Sequence, residues 1–156
     1  MFWIIAFALT VLGALGQIAL AGPAGWSAHA AAEIGLVWIV AGFYGIATML
    51  AGLQHLTNPD RIAHYIGWAA GSGFQLELGW AEVGLSIAGI LAIWLRGAYL
   101  LAPAIAASTL YLGAALVHAR DLARNGNLNP GNAGPVFYID IVMPIFTIVA
   151  LALYFR

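Results

Sequence analysis

Glu82 is the residue that most needs a chemical reason. The apolar run from 74 to 95 reads as a membrane-crossing helix, and it places Glu82 roughly 12 Å from the helix start. An ionised carboxyl at that depth costs roughly 2.5 kcal/mol or more unless it is protonated, paired or watered, so it should face a bundle interior. Gln75, seven positions earlier, falls within roughly 20° of Glu82 on one helical stripe, while Glu77 is turned about 140° away toward the rim. A first-turn carboxylate such as Glu77 also gains from the helix dipole. Asp140 lies about 6 Å inside the run 136 to 155, and Pro144, four residues on, has no N–H for the Asp140 carbonyl. Tyr138 adds a hydroxyl beside it. His118, near the end of the run 98 to 120, is the imidazole able to pair with Glu82 or Asp140, and Tyr111 shares its stripe.

Imidazole and carboxylates together can relay protons or hold a divalent metal ion such as Zn, Fe, Mn or Cu. The candidate proton- or ligand-binding set is therefore Gln75, Glu77, Glu82, His118, Tyr138 and Asp140, and the candidate metal ligands are Glu82, His118, Asp140 and His64. No Glu-x-x-His, His-x-x-x-His or His-Glu-x-x-His is present, so such a site has to be assembled from separate helices. His55 and His64 lie outside the apolar runs; His64 is placed at the pocket rim, and His55 is expected to be solvated. His29 and Glu33 stand at i, i+4 but alone at the opposite end, and are read as surface. Ser72, Ser86 and Ser108 have no nucleophile elbow around them, which argues against hydrolysis. The chain has no Cys, excluding disulfides and thiolate chemistry.

The elements that must position these groups follow from composition. Hydrophobic residues are 63% of 156 and charged residues 7%, with mean hydropathy +0.95, far from the soluble mix of about half apolar and a quarter charged. The expectation is an all-α integral membrane bundle forming one domain, 1 to 156, with the lipid bilayer as its solvent. Apolar runs predict five spans: 2 to 22, 33 to 53, 74 to 95, 98 to 120 and 136 to 155. Met-Phe-Trp-Ile-Ile lacks a basic n-region, so the first run is read as a retained anchor. Asn58-Pro59 starts a short interfacial helix, 59 to 70, that Gly71-Ser72-Gly73 ends. Ser72 and Gln75 match a capping box for the third span, and 121 to 135 reads as a turn-dense loop without helical period. Pro103 is expected to kink the fourth span. Ala41 with Gly45, and Gly84 with Ala88, are the expected close helix contacts.

Counting crossings sorts the loops onto two faces. Face X takes the N-terminus, 54 to 73 and 121 to 135, with Arg61, Arg120 and Arg124; face Y takes 23 to 32, Arg96-Gly97 and the C-terminus with Arg156. Three arginines against two orient X, and the N-terminus, toward the cytoplasm of a multi-pass cell (inner) membrane protein. Five of the six acidic residues and three of the four histidines lie at X. A net charge of −1 without Lys gives nucleic acid no basic surface to bind.

Arg61-Ile62-Ala63 through Ile66-Gly67-Trp68, Gly71-Ser72-Gly73-Phe74-Gln75 with Glu77 and Gly79, His118, and Asn129-Pro130-Gly131-Asn132-Ala133-Gly134 with Tyr138 and Asp140 form a set of strings over residues 55 to 150. In these the chain resembles a family of small polytopic membrane proteins of bacteria and archaea, a domain of unknown function. It departs from that pattern at Gly73, where the resemblance implies Pro. The resemblance implies one constellation of positions and no activity.

Three functions fit. The first is a membrane-embedded pocket open to face X that binds a proton, a divalent metal ion or a small polar headgroup, with catalysis left open. The second is an accessory subunit of a larger membrane complex, for which small size and small-residue faces argue. The third is a homo-oligomeric channel or transporter, against which stands the lack of a polar stripe through the Y half.

Overall fold

The computed structural model describes residues 2 to 156, and its regular structure is helical throughout. Helix α1 is Phe2–Leu20, α2 is Ala28–Thr57, α3 is Pro59–Ile66, α4 is Phe74–Leu91, α5 is Leu101–Asn125, α6 is Pro130–Ala133 and α7 is Pro135–Tyr154. Four segments are long and apolar enough to cross a membrane: Phe2–Leu20, Ala28–Thr57, Gly97–Asn125 and Pro130–Tyr154. That is consistent with a multi-pass membrane protein. The expected span 74 to 95 stops at Leu91, and its 18 residues reach about 27 Å. Gln75, Glu77 and Glu82 lower its hydropathy, and it is not among the four.

Each helix start and stop has a local cause. The Ser27 hydroxyl accepts from the Ala30 amide at 3.1 Å and caps α2. The interfacial helix ends at Ile66, earlier than expected, because Gly67 adopts the left-handed conformation (φ 89°) while the Gly67 and Trp68 amides both reach back to the Ala63 carbonyl. The expected capping box does not form: Gly73 is the N-cap of α4, and Gln75 turns into the protein. Pro103 causes no interruption, since α5 begins at Leu101 and the first-turn amides have no intrahelical partner anyway. The stretch 121 to 135 is more helical than expected; α5 runs to Asn125, ending at a left-handed Gly126, and Pro130–Ala133 makes a further turn.

Packing is closest between α2 and α4, where glycines let the backbones meet. A Cβ at Gly89 would stand 2.6 Å from the Val40 carbonyl oxygen, and one at Gly52 would stand 3.0 Å from both Glu82 Cβ and the Gly79 carbonyl. Gly45 takes part in this contact as anticipated, but Gly84 faces open space. The inner face of α4 is instead Gln75, Gly79, Glu82, Ser86 and Gly89.

The middle of α2, Trp38–Ala47, is π-helical, and its residues are mostly buried. Tyr44 there donates to Thr147 of α7 at 2.9 Å, because the Thr147 hydroxyl itself donates to the Met143 carbonyl. Tyr111 of α5 meets Thr48 at 2.7 Å, and the Thr48 hydroxyl donates to the Phe43 carbonyl. Trp3 of α1 packs on Phe43 and Tyr111 from outside. Toward face Y a separate apolar layer of Leu36, Val40, Ala92, Leu100 and Ala104 closes the bundle.

Candidate functional site

Four helices converge at face X and bring two imidazole–carboxyl pairs indoors. In the first, His55 at the end of α2 meets two residues of α4: its Nδ1 lies 2.5 Å from Gln75 Oε1 and its Nε2 lies 3.8 Å from Glu82 Oε2. In the second, His118 of α5 meets α6 and α7: its Nδ1 lies 2.8 Å from Asn132 Oδ1 and its Nε2 lies 3.9 Å from Asp140 Oδ2. The two constructions are alike. An amide oxygen takes one ring nitrogen, and the other faces a carboxyl.

The Asn132 amide fixes the tautomer of His118. Its Nδ2 donates to the carbonyls of Asn127 (2.8 Å) and His118 (3.4 Å), so its Oδ1 must be the atom that faces the ring. The ring nitrogen opposite an acceptor has to carry hydrogen, so Nδ1 is the donor and Nε2 is the nitrogen free to gain or lose a proton. At His55 the atom facing Nδ1 is Gln75 Oε1, which gives that ring the same order. Glu82 Oε2 and Asp140 Oδ2 are buried with no hydrogen-bond partner, as is Ser86 Oγ, one turn below Glu82. Such unsatisfied oxygens are uncommon in protein interiors and mark places with a further occupant or a chemical role.

The two pairs are not isolated. Glu82, Asp140 and the Tyr111 hydroxyl lie within electrostatic reach of one another. A lattice of amides seals the second pair on the face X side. Trp68 stacks on His118 with ring centroids 5.8 Å apart, and its indole N–H donates to Asp121 Oδ2 at 2.9 Å. Asn127 also donates to Asp121 and to the Ile66 carbonyl.

The glycine- and asparagine-rich strings that differ most from an ordinary membrane helix thus build the surroundings of the second pair. The chain belongs to the DUF6790 family, a family of unknown function. The match covers residues 1–156, more of the chain than the strings between 55 and 150. No curated protein and no solved structure matches the chain.

Of the positions expected to form the site in this DUF6790 chain, Gln75, Glu82, His118 and Asp140 are buried and gathered in the two pairs. His64 and Glu77 are exposed, and Tyr138 is 62% exposed. His118 partners Asp140 rather than Glu82. The four candidate metal ligands Glu82, His118, Asp140 and His64 are not brought together, and among the described residues no three His, Asp or Glu side chains are grouped to hold a metal ion. His55, expected in solvent, is instead the partner of Glu82, because α2 runs four residues past the predicted end at 53 and carries it indoors. Asn132 and Trp68 entered the reading only as parts of strings. Tyr44, Thr48 and His55 fall at i, i+4 and i+11, a polar stripe on one helical face, and that spacing was the available signal for His55.

Proposed function

We propose that the protein takes up and exchanges protons at a pocket within the membrane, using His55 with Glu82 and His118 with Asp140 as two paired sites. The observation that carries this reading is the repeated order of amide oxygen, imidazole and unpartnered carboxyl oxygen. It leaves Nε2 and one carboxyl oxygen of each pair as the only protonatable atoms facing one another. One proton per pair removes the net charge, whether it resides on Nε2 as an imidazolium–carboxylate pair or on the carboxyl, and burial favours pairs without net charge. Movement of that proton between nitrogen and oxygen needs only a small shift, and arrival of a second proton releases the first. In this reading the pocket opens to the cytoplasmic side of the cell membrane, following the arginine excess at Arg61, Arg120 and Arg124.

The test is a proton count on purified protein in detergent, by indicator dye across pH 4 to 9, beside infrared spectra of the buried carboxyls. Glu82→Gln and Asp140→Asn are each expected to remove about one titrating proton per chain and one carboxyl band. A count unchanged in both variants overturns the reading. Stoichiometric divalent metal found by elemental analysis would replace it, since neutral Nε2 with Nδ1 hydrogen-bonded is also the form that binds metals.

A further inference from the structure

The route by which a proton reaches His118 is not supplied by the pairs themselves. His118 is 6% exposed. Its Nδ1 is held by Asn132 and its Nε2 faces Asp140 across 3.9 Å, and because the Nε2 lone pair lies in the ring plane, water has to pass a ring face to reach that gap. One face is covered by the Trp68 indole, at an interplanar angle of 26°. The same indole forms part of the wall of a cleft of about 630 Å³ on face X, which is lined with Trp68, Asp121, Asn125, Asn127 and Asn129 among others. The cleft is polar, as the asparagine amides and the Asp121 carboxylate require, and it has room for many waters. Trp68 therefore stands between a wet recess and a buried imidazole. One side-chain hydrogen bond latches it, the indole N–H to Asp121 Oδ2, while the Phe74 ring meets it edge-on.

We propose that Trp68 is the gate of a proton entry port, with Asp121 as its latch. Resting on the proton-exchange reading given above, the port admits water and its protons from the cleft to His118 when the indole swings off the ring. Asp121 has a second part to play. Its carboxylate stands at the cleft surface and attracts hydronium, while Asn125 and Asn127 hold it in place at 2.6 Å each. A protonated His118 gains from the indole face, which favours a cation lying on an aromatic ring; closure over the charged ring retains the proton until it passes to Asp140. The groups that face His118 are Asp140 from α7, Asn132 from α6 and Trp68 from the segment after α3, with Asp121 of its own helix within electrostatic reach.

The experiment measures access directly. Diethylpyrocarbonate acylates an unprotonated imidazole nitrogen, and mass spectrometry of the full chain in detergent reads His118 and His55 separately. His118 is expected to react slowly in the native protein, because modification proceeds only from the opened fraction. Trp68→Ala is expected to raise its rate on the order of tenfold, and Asp121→Ala and Trp68→Phe, which both remove the latch while an aromatic ring still covers the imidazole, to raise it less. His55 serves as the internal control and is expected to keep its rate in all three. An unchanged His118 rate in Trp68→Ala overturns the gate, and so does an equal rise at His55, which would mean a loosened bundle. The access measurement does not depend on the carboxyls titrating: a proton count that falls as expected in the carboxyl variants with unchanged His118 access sinks the gate alone, and a count unchanged in those variants with gated access sinks only the exchange reading.

Discussion

An imidazole with one nitrogen committed to an amide oxygen is a different reagent from a free one, because its remaining nitrogen is aimed. Asn132 is therefore expected to matter as much as His118. Asn132→Ala removes the acceptor for His118 Nδ1–H and both donors to the carbonyls of Asn127 and His118. Leaving such groups buried and unpaired costs about 1–3 kcal/mol, and thermal unfolding in detergent is expected to show a lowered midpoint. Tyr138→Phe, at an exposed position on α7, is expected to change stability by no more than about 0.5 kcal/mol and to leave the proton count intact. At this scale Glu82 was legible because depth in an apolar run carries a known cost, and Gln75 because seven residues return to the same stripe. Asp140 was legible for the same reason of depth. Tyr138 was misplaced because proximity in sequence to Asp140 says nothing about facing: two residues apart on a helix point about 160° from one another.

Helix existence was readable from composition and helix contacts were not. The apolar runs marked α1, α2, α5 and α7, yet the π-helical turn in α2 leaves no trace in a segment that is apolar on every side. Which glycine lies in a contact depends on rotation about the helix axis, and the Gly84–Ala88 spacing looked as suitable as any. Substitution separates them. Gly89→Ala would drive a Cβ to 2.6 Å from the Val40 carbonyl and 2.9 Å from the Gly45 amide nitrogen, both backbone atoms that cannot swing away. The expected cost is about 1–3 kcal/mol, as for other overpacked sites, and the α2–α4 separation should rise enough to weaken the hold of Gln75 on His55. Gly84→Ala meets nothing within 4 Å and is expected to be neutral or to stabilise by about 0.5–1 kcal/mol through helix propensity. Gly73 is a parallel case: its φ of −67° already suits proline, which fixes φ near −65°. Gly73→Pro is expected to raise stability by about 0.4–1 kcal/mol by restricting the unfolded chain, and chemical denaturation of the two proteins side by side checks both substitutions.

At the scale of the molecule the polarity is distributed along the axis of the bundle. Every helix of the inner bundle contributes a polar stripe to the X half: His55 and Thr48 from α2, Gln75 and Glu82 from α4, His118 and Tyr111 from α5, Asp140 from α7. Below them the hydroxyls of Tyr44 and Thr147 point their protons in one direction and end on the Met143 carbonyl. A chain of donors that terminates on a backbone acceptor fastens helices together and has nowhere to pass a proton onward. Deeper still lies the layer of Leu36, Val40, Ala92, Leu100 and Ala104, each fully buried, with Val37, Leu151 and the rings of Tyr99 and Tyr154 packed against it. Proton uptake is therefore expected from face X only, with no conductance through the bundle. The absence of Cys in the native chain makes the sidedness measurable, since Arg124→Cys and Arg96→Cys place a single thiol at face X and face Y, and an impermeant thiol reagent reports which face is outside in proteoliposomes. A rapid external pH drop should then give proton binding in vesicles with X outward and none in vesicles with X inward. Equal uptake from both faces, or an ion-selective current across the vesicle membrane, would mean that the apolar layer opens, and the protein would then be a conductor rather than a one-sided proton site.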